Sequence, residues 1–208
     1  MTPGARVAAA IEVLQEMAEG LAAEQALTRW ARRSRFAGSK DRAAIRDHVF
    51  DVLRCKRTAA HYGRGDSPRA LMIGLLQTQG ADLAALFSGE GHAPLPLAPH
   101  ELDFPTPPTD EATVWNMPDW LVPHLKDSLG EGAAQAAIAL QSRAPVFLRV
   151  NTPKATRSEA METLSEAGVV TEPNPLCDAA LTVTEGARKI RNSSAYQDGL
   201  VELQDAAS

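Results

Sequence analysis

The chain has 208 residues, 44% of them hydrophobic but only 5% aromatic, and a formal net charge of -5. That is enough for two small cores and favours Ala-rich helices packed closely over a large β-sandwich. No apolar run reaches the roughly 20 residues that span a bilayer, and Glu12 and Glu16 interrupt the amino-terminal segment where a secretory signal would be apolar, so a soluble cytoplasmic protein is expected. The two cysteines, Cys55 and Cys177, stand far apart in no CxxC grouping, which argues against a disulfide framework and fits a reducing compartment.

In chain order, Thr2-Pro3 reads as an N-cap and a first-turn proline, and Val7, Ala10, Ile11, Leu14 and Ala18 recur at helical spacing until Gly20. Residues 23–35 continue as a second helix, with Ala26, Leu27, Trp30 and Ala31 on one side and Arg29, Arg32 and Arg33 toward the other. Gly38 stops it, Ser39 reads as the next cap with Asp41 in the first turn, and a third helix runs to about His61 with Ile45, Val49, Val52 and Leu53 inward. Ser67-Pro68 repeats the cap-then-proline device before an apolar central helix, and a short helix follows at 82–89. Six prolines between Gly89 and Pro108 predict an extended linker, because proline fixes φ and removes a donor. The expected domains are therefore 1–88, a linker at 89–110, and 111–208.

Beyond the linker, Pro118 opens a helix that Gly130 closes, and a second helix follows. The period changes at Val146: "VFLRVN" alternates like a strand, "TRSEAMETLSEAG" is a capped amphipathic helix ended by Gly168, and residues 169–174, 180–186 and 200–205 are further strand candidates. The predicted fold class is mainly α plus α+β: an all-α helical domain followed by a small α+β, RRM-like domain with one main helix against an antiparallel sheet.

Charge is distributed unevenly. Residues 29–69 hold twelve Lys/Arg against four Asp/Glu, a net of +8, whereas residues 70–142 carry a net of -8. Arg29, Arg32, Arg33, Arg35, Lys40, Arg42, Arg46, Arg54, Lys56 and Arg57 occupy two predicted helices and the turn between them, so one helical hairpin presents many of them together. Guanidinium forks bind phosphate oxygens in pairs and release counterions, which points to a nucleic-acid partner. The competing reading is a solvated helix face with Asp41, Asp47 and Asp51 as local partners, but +8 exceeds what that pairing needs.

Other candidates carry less. Trp115 and Trp120 flank "NMPD"; an exposed ring there would stack on a base, but anchoring a short helix to the core is favoured. The histidines, His48, His61, His92, His100 and His124, show no metal-binding spacing, so no metal is expected. There is no P-loop, no GxSxG and no glycine-rich strand-to-helix turn, Asp110-Glu111 reads as helix-start charge, and no catalytic residue is assigned. Arg64-Gly65-Asp66 and the Asn192 glycosylation string are read as coincidences in a chain without an export signal.

Two stretches carry a family resemblance. "AEQALTRWARRSRFAGSKDRAAIRDHVFDVLRCKR" resembles the NusB-like helical domain of RsmB/Sun-type bacterial rRNA cytosine-5 methyltransferases. Leu148, Arg149, Val150, Asn151, Thr152 and Lys154, followed by Gly199, Val201, Gln204, Asp205, Ala207 and Ser208, are similar to the segment leading into their catalytic domain. The resemblance implies rRNA as partner, S-adenosylmethionine in the intact enzyme, and a catalytic cysteine in a Pro-Cys-Ser or Thr-Cys-Ser context. Cys55 in "LRCKR" and Cys177 in "PLCDA" match neither context, so no catalytic or cofactor residue is carried over and no cofactor is expected in this chain.

The expected function is thus the RNA-binding amino-terminal region of an S-adenosylmethionine-dependent rRNA (cytosine-5) methyltransferase. It would position rRNA for a catalytic domain lying after Ser208, with Gln204 and Asp205 pairing with that domain. The rivals are a free-standing NusB-like RNA- and protein-binding module without catalysis, and an interaction domain whose acidic 70–142 region meets a basic partner.

Overall fold

Helix α1 (Pro3–Ala18) starts where the sequence predicts, with the Ala5 N–H donating to Thr2 Oγ1 at 3.2 Å and Pro3 in the first turn. The computed structural model to which it belongs describes residues 1–205 and divides into two compact units, Met1–Arg143 and the chain from Ala144 onward. In the first, α2 (Ala23–Arg33), α3 (Ser39–Arg54), α4 (Lys56–Gly63), α5 (Pro68–Thr78) and α6 (Leu83–Leu86) join α1 around Val7, Val13, Ile45, Val49, Met72 and Phe87. Then α7 (Glu111–Val114), α8 (Leu121–Leu129) and α9 (Ala133–Ala139) bury a smaller cluster of Trp115, Val122 and Ala137.

Helix α5 is the central element, with every residue from Leu71 to Leu76 buried. It crosses α4 at glycines: a Cβ on Gly74 would lie 1.9 Å from Ala59 O, and one on Gly63 would lie 1.9 Å from Ala70 O. The Ser67-Pro68 start is as predicted, the Ala70 N–H donating to Ser67 Oγ at 3.2 Å.

The predicted third helix is two. It breaks at Cys55 because Thr58 Oγ1 donates to Cys55 O at 3.0 Å, while Asn116 Oδ1 accepts both the Thr58 N–H and its hydroxyl, each at 3.0 Å. Asn116 thereby caps α4 from outside, a role that sequence spacing does not reveal. The cap of α3 is Gly38 rather than Ser39, which is the first helical residue, and Leu53 is exposed rather than inward. Asp41 does sit in the first turn, where a hydrogen bond from Arg6 Nε at 2.8 Å holds its carboxyl below the ordinary range.

The proline-rich stretch lies inside the first unit as a strap laid on α4 and α5. Arg64 Nη2 donates to Asp103 Oδ2 at 2.8 Å, and His61 Nε2 lies 2.8 Å from Thr106 O. Arg69 donates to both carboxylate oxygens of Glu101 at 2.7 and 2.9 Å, and to the carbonyls of Leu95 and Pro96 at 3.0 and 3.1 Å. Its guanidinium also covers the buried Phe87 ring, 4.9 Å from the centroid. These bonds, and the burial of α7 to α9 in the same unit, place the division at Arg143/Ala144, where composition alone had suggested a linker at 89–110. They also explain Arg64-Gly65-Asp66: its arginine caps α4 in a left-handed conformation and grips the strap.

The second unit runs β1 (Val146–Val150), α10 (Arg157–Glu166), β2 (Val170–Pro173), β3 (Ala180–Glu185), α11 (Ser194–Gln197) and β4 (Val201–Leu203), with a 3₁₀ turn at Ala187–Asn192. The sheet order is β2-β3-β1-β4 and every pair is antiparallel, a split β-α-β arrangement whose second crossover is made of short turns. Leu148 and Val150 from β1 and Leu181 and Val183 from β3 pack with Ala160 and Leu164 of α10, while Arg149 pairs in register with Glu202 on the other face. Gly168 closes α10 at φ +71, as expected of a left-handed cap.

Helix α10 begins with a capping box. The Glu159 N–H donates to Thr156 Oγ1 at 3.3 Å and the Thr156 N–H to Glu159 Oε2 at 2.8 Å, which holds the Glu159 carboxyl below its usual range. Thr156→Ala is expected to lower the stability of this unit by about 1 kcal/mol, measured as a reduced urea midpoint at unchanged slope.

Candidate nucleic-acid interface

Helix α2 buries Ala26, Leu27 and Trp30, and Trp30 Nε1 donates to Glu12 Oε2 at 3.2 Å, which fixes the rotation of the helix on α1. That rotation turns Thr28, Arg29, Arg32 and Arg33 to solvent. Arg32 and Arg33 end the helix, where positive charge suits the dipole.

The chain then makes a tight turn. The Ala37 N–H donates to Ser34 O at 3.0 Å, so Arg35 and Phe36 form the tip while Ser34 and Ala37, both buried, are its feet. Arg42 Nε donates to Ala37 O at 2.9 Å from the first turns of α3 and holds the turn from below. Phe36 stands 77% exposed, an aromatic ring in the middle of the basic block that the sequence reading did not single out. Its sequence signal is only adjacency to Arg35.

Two shallow depressions flank α2. One, of about 650 Å³, is lined by Thr28, Ala31, Arg32, Arg35 and Arg42. The other, of about 910 Å³, is lined by Leu21, Glu24, Gln25, Thr28, Arg29, Arg32 and Arg33, so Thr28 and Arg32 border both.

The ten basic candidates fall into distinct groups. Arg33 pairs with Glu16 and, at 3.7 Å, with Glu12; Arg29 lies 4.0 Å from Glu16; Arg46 pairs with Glu24; and Arg54 pairs with Asp51. Arg57 is held by Asp119 at 3.0 and 3.2 Å and by Met117 O at 3.1 Å. The side chains of Arg32, Arg35, Lys40 and Lys56 make no hydrogen bond or ion pair among the described residues, and all four are exposed. Arg32, Arg35 and Arg42 line one depression at the end of α2, and Lys40 stands in the first turn of α3. Lys56 stands apart on α4, beside a depression it shares with Arg57, His61 and Asp66.

The two tryptophans divide. Trp115 is buried, as favoured from the sequence, whereas Trp120 is 67% exposed with its ring edge-on to His124 at 6.3 Å.

In the second unit, the residues that carry the family pattern converge although about 50 positions separate them. Arg149, Asn151, Thr152, Lys154, Gly199 and Val201 line one concavity of about 470 Å³. Asn151 Nδ2 donates to Gly199 O at 3.0 Å, and Lys154 Nζ donates to Asp198 O at 2.8 Å. The Gln204 N–H reaches Phe147 O at 3.4 Å, extending the β1–β4 pairing, and the exposed Asp205 is engaged within the chain. Ala207 and Ser208, the last residues of that pattern, lie outside the described residues.

Cys55 is half-buried, and burial pushes its thiol up from the ordinary value, the opposite of an activated thiolate. Among the described residues, no group of three or more His, Cys, Asp or Glu is placed to hold a metal ion, and no helix is long and apolar enough to cross a membrane.

Comparison with known proteins bears on these features. Residues 117–189 match the family described as Methyltr_RsmF/B-like, ferredoxin-like domain. Over 98 residues the chain is 36% identical to Ribosomal RNA small subunit methyltransferase B of Vibrio cholerae serotype O1, covering 47% of this chain and 22% of that protein. The protein of the same name from Yersinia pestis bv. Antiqua is 33% identical over 92 residues, covering 44% and 21%. The crystal structure of PH0851 superposes with a TM-score of 0.57 at 16% identity, over 98% of this chain and 53% of that one, which shows a shared fold. The chain spans about a fifth of the length of the curated relatives it matches. The resemblance to RsmB-type rRNA methyltransferases is thus shown by family model and by sequence.

Proposed function

We propose that this chain holds rRNA for an S-adenosylmethionine-dependent rRNA (cytosine-5) methyltransferase of the kind its relatives represent. In this reading the all-helical unit is a NusB-like RNA-binding body and the antiparallel sheet is the RRM-like link toward a catalytic domain, with Gln204 and Asp205 leading into it. The observation that carries the reading is that Arg32, Arg35 and Lys40, between the end of α2 and the first turn of α3, are exposed and unpaired in a unit where most other arginines are already paired with carboxylates. Clustered cations without protein partners keep their full charge for phosphate oxygens, and each phosphate neutralised releases counterions.

S-adenosylmethionine supplies the methyl group in such enzymes, and the described residues do not fit it. All four strands are antiparallel, so they offer no crevice at the carboxyl end of a parallel sheet, and the half-buried Cys55 is not an activated nucleophile. Cofactor and nucleophile therefore belong, in this proposal, to a domain outside the described residues. The part played here is positioning: phosphate contacts fix the register and orientation of the RNA and contribute little sequence choice.

Titration of fluorescently labelled small-subunit rRNA fragments tests this. Arg32→Ala/Arg35→Ala/Lys40→Ala is expected to weaken binding tenfold or more, roughly equally for all fragments. Arg57→Ala is expected to leave RNA affinity near wild type, because Asp119 and Met117 O already hold that guanidinium. Equal loss from both variants, or from neither, would contradict the proposal.

A further inference from the structure

We infer that the Ser34–Ala37 turn is a nucleotide clamp for unpaired RNA, in which a base stacks on Phe36 while Arg35 and its neighbours hold the adjoining phosphates. The inference rests on the RNA-binding proposal and adds the structural class of RNA. Phe36 is a large apolar ring left 77% exposed, although the turn that carries it is rigidly built. Its feet, Ser34 and Ala37, are buried, only 6% and 4% exposed, the turn is closed by a 3.0 Å bond between them, and Arg42 Nε fastens Ala37 O at 2.9 Å. A turn anchored at both ends and held from below presents its tip at little further entropic cost, which is the condition under which an exposed aromatic is useful to a ligand.

The surroundings decide the ligand. Arg35 precedes the ring on the same tip, Lys40 follows it in the first turn of α3, and Arg35 itself lines a depression with Arg32 and Arg42. An exposed aromatic ring with cations on both sides of it along the chain matches a nucleotide, whose base offers a π-face and whose phosphates offer negative charge. In an A-form duplex the bases are already stacked and the deep groove is too narrow to admit a side chain, so the clamp selects single-stranded or bulged RNA.

Fluorescence anisotropy of the whole chain with a labelled RNA of about a dozen nucleotides, single-stranded or annealed to its complement, tests this. Phe36→Ala is expected to lose about tenfold or more in single-strand affinity, with duplex affinity, salt dependence and unfolding midpoint unchanged. Phe36→Trp is expected to restore single-strand binding. If wild type and Arg32→Ala/Arg35→Ala/Lys40→Ala differ on both RNAs but Phe36→Ala equals wild type on the single strand, the clamp is overturned and the phosphate-binding proposal stands. If Phe36→Ala abolishes self-association in light scattering and keeps its RNA affinity, Phe36 serves a protein contact and the clamp is overturned. Absence of RNA binding by the wild-type chain at low salt overturns both.

Discussion

Gly74→Ala is expected to destabilise the helical unit by about 3 kcal/mol or more, and at that cost a fraction of the protein unfolds at ordinary temperature. The added Cβ would sit 1.9 Å from Ala59 O and 2.7 Å from the Gly63 nitrogen, both backbone atoms, so no rotamer change relieves the clash. Separating α4 from α5 would open the buried row from Leu71 to Leu76. Gly132→Ala provides the comparison, since nothing lies within 4 Å of its added Cβ; its urea midpoint is expected within about 0.5 kcal/mol of wild type. If Gly74→Ala unfolds at the wild-type midpoint, the α4–α5 crossing described here is wrong.

Arg69→Ala is expected to cost about 2 to 3 kcal/mol and to free the proline-rich strap. Its side chain is 28% exposed and that of Glu101 17%, so truncation leaves a mostly buried carboxylate with the Ala98 N–H as its remaining donor and takes the Arg69 donor from two carbonyls. Arg69→Lys is not expected to rescue, because an ammonium cannot span both carboxylate oxygens and stack on Phe87. Limited proteolysis at 89–110 is the direct readout of the strap.

The same pair gives a pH dependence. Hydrogen bonds from Arg69, helped by the Ala98 N–H, lower the Glu101 pKa from 4.5 to about 2. A carboxyl whose folded pKa is depressed stabilises fully above its unfolded value and loses that contribution as pH falls through the folded one. The advantage of wild type over Glu101→Gln, on the order of 2 kcal/mol at neutral pH, is therefore expected to shrink as pH drops from about 4.5 toward about 2. A difference between the two that stays constant over that range would remove the ion pair from the account.

Local chemistry made much of the fold legible. Thr2-Pro3, Ser67-Pro68 and the Thr156 that opens "TRSEAMETLSEAG" each mark a helix start, and all three caps are found where sequence placed them. Alternation at 146–150 and 180–185 showed the strands, because one face of that sheet is buried. The strap was not legible. Prolines announce extended backbone, but its attachment depends on Arg69 meeting Glu101 and Arg64 meeting Asp103, 32 and 39 positions apart.

The candidate interface shows the same divide. Composition located the basic block, yet which cations are committed follows from α1 lying along α2, which brings Glu12 and Glu16 to Arg33. Phe36 escaped notice because exposure of one aromatic in a short polar segment is decided by how the turn is anchored. Trp120 was noticed but read with Trp115 as a core anchor, since "NMPD" gives no sign that only one of its flanking tryptophans reaches the core.

If the cations at the end of α2 grip RNA phosphates, the slope of log Kobs against log salt for a single-stranded RNA measures that grip most directly. Each phosphate contact contributes about 0.7 to the slope on a single strand, so Arg32→Ala/Arg35→Ala/Lys40→Ala is expected to be shallower than wild type by about 2. Parallel lines for the two proteins would contradict it.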